Sequence, residues 1–335
     1  MKITLKDIAK RLGISPATVS LVINKRDEGF VSSETAKKVL EMAQELKYIP
    51  NHNARSLVTG KTKIIGVTLS ALNEHSSDIL QIIQNILNKD NYQMCFCGID
   101  SPNFTEDKSL PIIDVDGIIT IDRVQTPLPT FFRNPSKNTP CVNINPKIDG
   151  IKNSIKFNFE VIFNESLNKL HSKGYKSPCL IVEDIEKDFI VCEAFRKSTK
   201  TLNLNKRIID TTSNNISYIS QMLKFHLSAS ERPDSFISIN HQSAHGAFIA
   251  IKDLNLNVPE NIALMTLFDS EYSKNFQVPI TSIRHPIHDA SNLAWEQLKK
   301  QIKHTSPDYN LADIFIPYEL IERKSTLNKE QEILL

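Results

Sequence analysis

The chain has 335 residues, enough for two or three structural units, and 40% of them are hydrophobic, so that sizeable cores can form. Its 40 basic and 38 acidic residues are unevenly distributed: residues 1–63 hold 12 basic and six acidic ones, which leaves 28 and 32 for the rest. No apolar run approaches the length of a transmembrane helix, and the polar N-terminus is unlike a signal peptide, so we expect a cytoplasmic protein without a membrane partner. The basic N-terminal fifth indicates contact with a polyanion, and a solvated basic surface is the alternative.

Residues 4–24 carry two short amphipathic patterns that meet at Gly13. Thr4 is placed to cap the first helix and Ser15 the second, where Pro16 at the first helical position sacrifices no hydrogen bond. The apolar faces consist of Leu5, Ile8, Ala9 and Leu12 in the first pattern and of Val19, Val22 and Ile23 in the second. Two helices joined by a short turn are typical of a helix-turn-helix, whose second helix lies in the DNA major groove, and an ordinary αα-hairpin is the alternative.

A third helix follows the charged loop at residues 25–30, with Ser32 or Ser33 as its cap. Its predicted apolar face consists of Ala36, Val39, Leu40, Ala43 and Leu46. Three short helices around one core predict an all-α headpiece over residues 1–50. Residues 51–60 then form a linker in which Asn51 can cap a helix of about two turns, too short to be stable alone and therefore expected to fold on binding.

From residue 61 to 335, short apolar runs alternate with helical patterns, which predicts parallel sheets with helical crossovers. The predicted strands are 64–70, 92–99, 117–121, 141–145, 177–183, 207–211, 235–240, 262–268, 281–285 and 314–321. The predicted helices are 77–89, 159–173, 187–203, 216–227, 243–253 and 288–303.

The sequence argues against an enzyme and against a metal site. Its nine glycines include no GxG pair, so it lacks dinucleotide-binding and P-loop fingerprints, and GxSxG is absent too. The five cysteines lie in or beside apolar runs, at positions 95, 97, 141, 179 and 192, without two pairs at zinc-site spacing. We therefore expect reduced core thiols, no cofactor and no structural metal.

Four blocks of the N-terminal region, TLKDIAKRLGIS, ATVSLVIN, VSSETAKKVLE and YIPNHNARSL, resemble the DNA-binding region of the LacI/GalR family of bacterial transcriptional repressors. A weaker resemblance continues to IPYELIERKST at 316–326. It implies an all-α helix-turn-helix headpiece (1–50), a hinge helix (51–60), and an α/β two-lobed periplasmic-binding-protein-like domain with two parallel sheets (61–335) for effector binding and dimerisation. The resemblance also implies three chain crossings between the lobes, near 157–160, 284–288 and 313–317.

The resemblance also assigns DNA contacts. Pro16, Ala17 and Leu21 would face base edges, and Leu57 would insert into the minor groove and kink the duplex, with a contact to the protein core as the alternative role. The remaining candidate DNA-binding residues are Thr4, Ser15, Thr18, Ser20, Asn24, Asn51, Ala54 and Arg55. Because proline, alanine and leucine side chains cannot donate hydrogen bonds to bases, specificity is expected to depend on backbone positioning, hinge insertion and DNA deformability.

The resemblance implies that residues in the cleft between the lobes contact a small-molecule effector, such as a sugar or a related metabolite. Asn240 and Asp269 match the family pattern, although Asp269 could instead cap the following helix. Asn73 lies in a first loop that lacks the usual aromatic residue, Val191 stands where an arginine is usual, and His241 replaces an aspartate. These losses predict an unusual ligand, or none.

Two further alternatives concern the histidines and the class of protein. His241 and His245, four residues apart, could form a metal pair or a pH-sensitive contact instead of ordinary helix-start residues. The main hypothesis is a homodimeric regulator, a repressor by resemblance, that binds a pseudo-palindromic double-stranded DNA operator and responds to a small-molecule effector. An α/β enzyme and a plain solute-binding protein are the competing readings.

Overall fold

The computed structural model describes residues 3–24, 27–48, 60–70, 72, 74–99, 114–122, 139–147, 151–303 and 312–327. The chain divides into two compact units, Met1–Thr62 and Lys63–Leu335. Among the residues so described, every helix is too short or too polar to cross a bilayer.

The first unit contains three helices, α1 (Leu5–Leu12), α2 (Pro16–Ile23) and α3 (Ser33–Glu45). Each begins at a capping residue predicted from the sequence. Thr4 donates to the Asp7 carboxylate at the start of α1, and the Ser15 and Ser32 side chains accept backbone N–H groups at the starts of α2 and α3. Gly13 ends α1 at φ 67°, a left-handed conformation that glycine adopts without steric cost.

Ile8, Val19 and Val39 are fully buried in the core of this unit. Leu40, predicted on the buried face of α3, is 54% exposed, so that prediction was wrong. The reason is that the buried stripe of α3 is narrow: Val39 and Ala43 occupy it, half-buried Met42 widens it on one side, and Leu40 lies beyond its edge.

The second unit is an α/β structure with twelve strands and seven α-helices among its described residues. Its strands are β1 (Ile64–Leu69), β2 (Gln93–Ile99), β3 (Gly117–Ile121), β4 (Cys141–Ile144), β5 (Ser154–Phe157), β6 (Pro178–Val182), β7 (Arg207–Asp210), β8 (Ser235–Ser238), β9 (Ala263–Thr266), β10 (Thr281–Arg284), β11 (Ile314–Ile316) and β12 (Glu319–Ile321). Its helices are α4 (Glu74–Lys89), α5 (Phe159–Ser172), α6 (Phe189–Thr201), α7 (Ile216–Leu227), α8 (His241–Asp253), α9 (Glu271–Lys274) and α10 (Ile287–Lys303).

The strands form two six-stranded sheets, which define two lobes. The first sheet has the order β11-β5-β4-β3-β1-β2 and the second the order β12-β10-β9-β8-β6-β7. All pairings are parallel except that of β12 with β10, which is antiparallel. The two-lobed α/β fold with two largely parallel sheets agrees with the prediction.

The chain passes between the lobes three times, close to the predicted positions: after β5, after β10 and between β11 and β12. The predicted strand 314–321 is in fact two strands in different sheets, because Pro317 lies between them and cannot donate to a ladder. Strand β5 and the short helix α9 were not predicted. Helix α10 returns to the first lobe, where Trp295 donates to the Asp90 carboxylate over 2.6 Å.

The cysteines are only in part core residues. Cys179 and Cys192 are buried, whereas Cys95 and Cys141 are half-buried, which corrects the expectation of a fully buried set, and the side chain of Cys97 lies outside the described residues. All four described thiols are free. Burial raises the pKa of Cys192 to about 12, so this thiol is unreactive at neutral pH.

Candidate functional site

The first candidate surface is the outer face of α2. Pro16 and Ala17 are exposed at its N-terminal end, and Leu21 is half-buried one turn further along. Val19 and Val22, on the opposite face, are buried in the core of the first unit. The helix therefore presents to solvent the three side chains predicted to face base edges, and these can make only apolar contacts there.

The polar candidates on α1 and α2 bond to the ends of these helices. The Ser15 hydroxyl accepts from the Thr18 backbone N–H at 3.0 Å and lies 2.9 Å from the Thr18 hydroxyl. Asn24 donates to the Ser20 carbonyl at 2.7 Å and lies 3.2 Å from its hydroxyl. Thr4 donates its backbone N–H and its hydroxyl to Asp7, at 2.8 and 2.7 Å. These bonds fix the ends of both helices.

Three exposed cations of α1, Lys6, Lys10 and Arg11, were counted in the basic excess but not predicted as contacts. Charge clustering was the signal that could have identified them. The hinge candidates Asn51, Ala54, Arg55 and Leu57, and the cleft candidate Asn73, lie outside the described residues.

The second candidate site is a cavity of about 150 Å³ in the second unit. Residues of both lobes line it, and most of them follow the carboxyl ends of strands, where ligands bind in open α/β sheets. Ser70, Asp122 and Lys147 follow strands of the first sheet, and Asn240 and Asp269 follow strands of the second. The cavity is therefore a cleft between the lobes.

Asn240 and His241 both line the cleft at the start of α8. Asn240 caps the helix, because its Oδ1 accepts from the Ser243 N–H and hydroxyl, each at 2.8 Å. The ring of His241 lies 5.2 Å from that of Tyr272, whose hydroxyl is 2.6 Å from His245 Nδ1. Within the described ranges, no three metal-ligating side chains cluster.

Asp269 lines the cleft but is already bound to protein cations. Its carboxylate is 2.7 Å from Arg323 Nη1 and 3.1 Å from Arg284 Nη2, and it accepts from the Ser282 hydroxyl at 2.5 Å. Burial by itself raises the pKa of Asp269, but the hydrogen bonds from Arg323 and Ser282 bring this pKa below its usual value. The alternative role as a helix cap was wrong, since Ser270 caps α9.

The prediction that Val191 lies in the effector-binding site was wrong. Its side chain is 2% exposed within the core packed around α6, and it does not line the cleft. The helical face that carries Val191, Cys192 and Phe195 is apolar and turned into the lobe. A valine at this position adds to packing and cannot take over the role of an arginine toward a ligand.

A buried ion pair that joins the two lobes was not predicted. Lys147, after β4, places its Nζ 2.7 Å from Oδ1 of Asp188, which precedes α6 in the other lobe. Burial by itself lowers the pKa of Lys147, but the negative charges of Asp188 and Asp122 raise this pKa above its usual value. The amine is therefore charged. Burial raises the pKa of Asp122, whose carboxylate accepts from the Asn145 amide at 2.6 Å.

Two histidines, the half-buried His75 and the buried His285, line the same cleft beside aromatic rings. Burial lowers the pKa of His75 and of His285 to about 3, so both are neutral at physiological pH. The His75 ring lies 4.4 Å from Phe268, and the His285 ring stacks on Phe157 at 4.0 Å. His75 follows β1 and His285 follows β10, and this position after a strand was the only indication in the sequence that either residue lines the cleft.

Two family models match the chain. Residues 4–51 match "Bacterial regulatory proteins, lacI family", and residues 167–326 match "Periplasmic binding protein-like domain". The first match covers the headpiece with α1, α2 and α3, and the second covers most of the second lobe and the returning helix α10.

Relatives that are similar over the whole chain carry the names of transcriptional regulators. The probable HTH-type transcriptional regulator EndR of Paenibacillus polymyxa is 26% identical over 349 aligned positions, covering 100% of this chain and 99% of the relative. The HTH-type transcriptional regulator RegA of Clostridium saccharobutylicum is 26% identical, covering 98% and 100%. Both are transcriptional regulators, which agrees with the prediction of a regulator rather than an enzyme.

Among solved structures, a lac repressor dimer bound to operator and the anti-inducer ONPF superposes with a TM-score of 0.82. It is 22% identical, and the match covers 98% of this chain and 100% of the repressor chain. At this identity, the likeness establishes the shared fold: a helical headpiece followed by a two-lobed α/β domain.

Proposed function

The chain belongs to the lacI family of bacterial transcriptional regulators, and from this premise we propose that it binds a pseudo-palindromic DNA operator as a homodimer, under the control of a small molecule in its cleft. The observation that carries the proposal is the solvent-facing surface of α2, with Pro16 and Ala17 exposed above a buried Val19–Val22 seam. A recognition helix must offer such a surface to the major groove.

The chemistry of this surface determines how DNA would be read. Pro16, Ala17 and Leu21 supply apolar contact, for example to a thymine methyl group, but no bidentate hydrogen bonds. The exposed Lys6, Lys10 and Arg11 of α1 supply charge for the phosphates, which gives affinity without sequence information. Specificity would therefore depend strongly on DNA deformability and on the hinge, where Leu57 is the proposed wedge.

Control by a ligand would act through the two lobes of the second unit. A molecule in the cleft would contact residues that follow strands of both sheets. It would favour one arrangement of the lobes if it bound that arrangement more tightly than the other. The lobe arrangement would set the spacing of the two hinge segments of a dimer and thereby their ability to fold on DNA. Asn240, His241 and Asp269 are the proposed ligand contacts, and the cytoplasm, where operator DNA lies, is the proposed location.

Selection from a random double-stranded DNA pool, followed by sequencing of the bound fraction, tests the proposal. We expect an enriched motif with two-fold symmetry, because each protomer reads one half-site. A triple variant Lys6→Gln/Lys10→Gln/Arg11→Gln serves as a comparison: it should weaken binding to all sequences and leave the motif unchanged. Failure to enrich any motif, or a motif without symmetry from a purified dimer, would contradict the proposal.

A further inference from the structure

We propose that the cleft binds a small hydroxylated amine, of which an amino sugar is the type, through the ammonium group of that ligand. This inference rests on the proposed function, since it names the ligand class of the same cleft. It is carried by three features of the lining: an excess of carboxylates over cations, a hydrogen-bond acceptor without a donor, and an aromatic face.

Carboxylates outnumber cations in the cleft. The lining holds six Asp or Glu side chains and three Lys or Arg side chains. Each cation is already paired with at least one carboxylate: Lys147 with Asp188 at 2.7 Å, Lys187 with Asp184 at 3.2 Å, and Arg284 with Asp269 at 3.1 Å and with Glu319 at 3.3 Å.

Three lining carboxylates, Asp78, Asp122 and Glu183, form no direct ion pair among the described residues, although Asp122 and Glu183 lie close enough to Lys147 to raise its pKa. Asp122 is 6% exposed and bonds to the Asn145 amide, which is neutral. A negative excess around a partly closed cavity attracts a cation and repels an anion.

His285 supplies the second feature. Its Nε2 lies 3.0 Å from the Leu267 carbonyl oxygen, which can only accept, so Nε2 carries the proton of this neutral ring. Nδ1 is then a lone-pair acceptor, and it has no donor among the described residues although the side chain is 7% exposed and lines the cleft. Buried polar groups are rarely left unbonded, and a ligand N–H or O–H would satisfy this one.

Phe268 is the third feature, because it brings an aromatic ring to the lining beside His75. Ammonium groups bind favourably over aromatic faces, whereas carboxylates and phosphates do not. The cavity of about 150 Å³ suits a small molecule.

Anionic ligands are disfavoured by the same residues. Val191 replaces the arginine that would have faced an anion, and its side chain lies in the core. The Lys147 ammonium is already bound by Asp188. A phosphorylated or carboxylated molecule would thus meet unpaired carboxylates without a free lysine or arginine among the described lining residues.

Isothermal titration calorimetry on the full chain tests the inference with three amines, glucosamine, ethanolamine and putrescine, against glucose and gluconate. We expect glucosamine to bind at least about tenfold more tightly than glucose, the gain typical of one charge-assisted hydrogen bond, and gluconate to bind less tightly than glucose. Glu183→Gln should lose about tenfold in glucosamine affinity and leave glucose affinity unchanged. Glu186→Gln, which removes a charge from the same loop outside the cavity lining, is the matched control and should change neither.

Equal affinity for glucosamine and glucose, tighter binding of gluconate, or absence of binding by all three amines would overturn the inference. Measuring DNA binding on the same preparations separates the two levels. A protein that binds its selected DNA but no amine overturns only the ligand class, whereas a protein that binds no DNA overturns the proposed function.

Discussion

Removal of the Lys147 ammonium should destabilise the second unit more than removal of any exposed lysine. Lys147 and Asp188 are 19% and 4% exposed, and their charged atoms are 2.7 Å apart. Lys147→Met leaves the Asp188 carboxylate buried without its cation, which costs about 3–5 kcal/mol for a buried pair. Against a total stability of about 5–15 kcal/mol, this is a large fraction.

Urea unfolding followed by tryptophan fluorescence measures this cost selectively, because the single tryptophan, Trp295, is buried in the second unit. The control is Lys224→Met, which breaks a pair with Asp253 at 2.8 Å whose side chains are 34% and 47% exposed. That exposed pair is expected to contribute about 0–1 kcal/mol. The double variant Lys147→Met/Asp188→Leu should recover most of the loss, since it removes the uncompensated charge. Equal destabilisation by Lys147→Met and Lys224→Met would refute the reasoning.

Three further predictions test packing and charge. Gly246→Ala should destabilise the second unit by about 1–3 kcal/mol in urea unfolding, because a Cβ there would lie 2.5 Å from Ile219 Cγ2 and 2.8 Å from Ile219 Cβ; an unchanged free energy of unfolding would contradict this close packing. Burial by itself raises the pKa of Asp269, but hydrogen bonds from Arg323 and Ser282 bring this pKa below its usual value of 3.8. The ionised carboxylate should therefore stabilise the fold above pH 3.8, and this contribution should be lost as the pH falls through the pKa of the folded state. Accordingly, the difference in unfolding free energy between wild type and Asp269→Asn should shrink in acid; a constant difference would contradict it. In the first unit, Val39 is fully buried and Leu40 is 54% exposed. Circular dichroism melting should therefore show that Val39→Ala lowers the free energy of unfolding by about 2 kcal/mol and Leu40→Gln by less than about 0.5 kcal/mol. Equal losses would contradict the assignment of Val39 to the buried face and of Leu40 to the exposed face.

The elements that the sequence predicted well are those with local signals. Ser15, Ser32 and Gly13 mark helix ends through their own backbone and side-chain chemistry, so the headpiece could be predicted without knowledge of its packing. The alternation of apolar runs and helical patterns predicted the α/β class for the same reason. The error at 314–321 came from a continuous apolar pattern in which Pro317 was given too little weight.

Asn240, His241 and Asp269 were identified as cleft residues, but the features of the cleft that depend on distant contacts were missed. Lys147 and Asp188 are 41 positions apart and belong to different lobes, so no window of sequence reveals their pairing. The exposure of Leu40 and the burial of Val191 likewise follow from which face of each helix meets its neighbours. The carboxylate of Asp269 is bound by Arg323, which lies just after β12 and far from Asp269 in the sequence.

In the proposed function, the headpiece of each protomer reads one half of a symmetric DNA site. Fluorescence anisotropy on the full chain, with the selected palindrome and with a duplex carrying one half-site, tests it most directly. We expect tighter binding to the palindrome than to the half-site, with both affinities falling as salt rises. Equal affinity for the two duplexes, or no binding at any ionic strength, would contradict it.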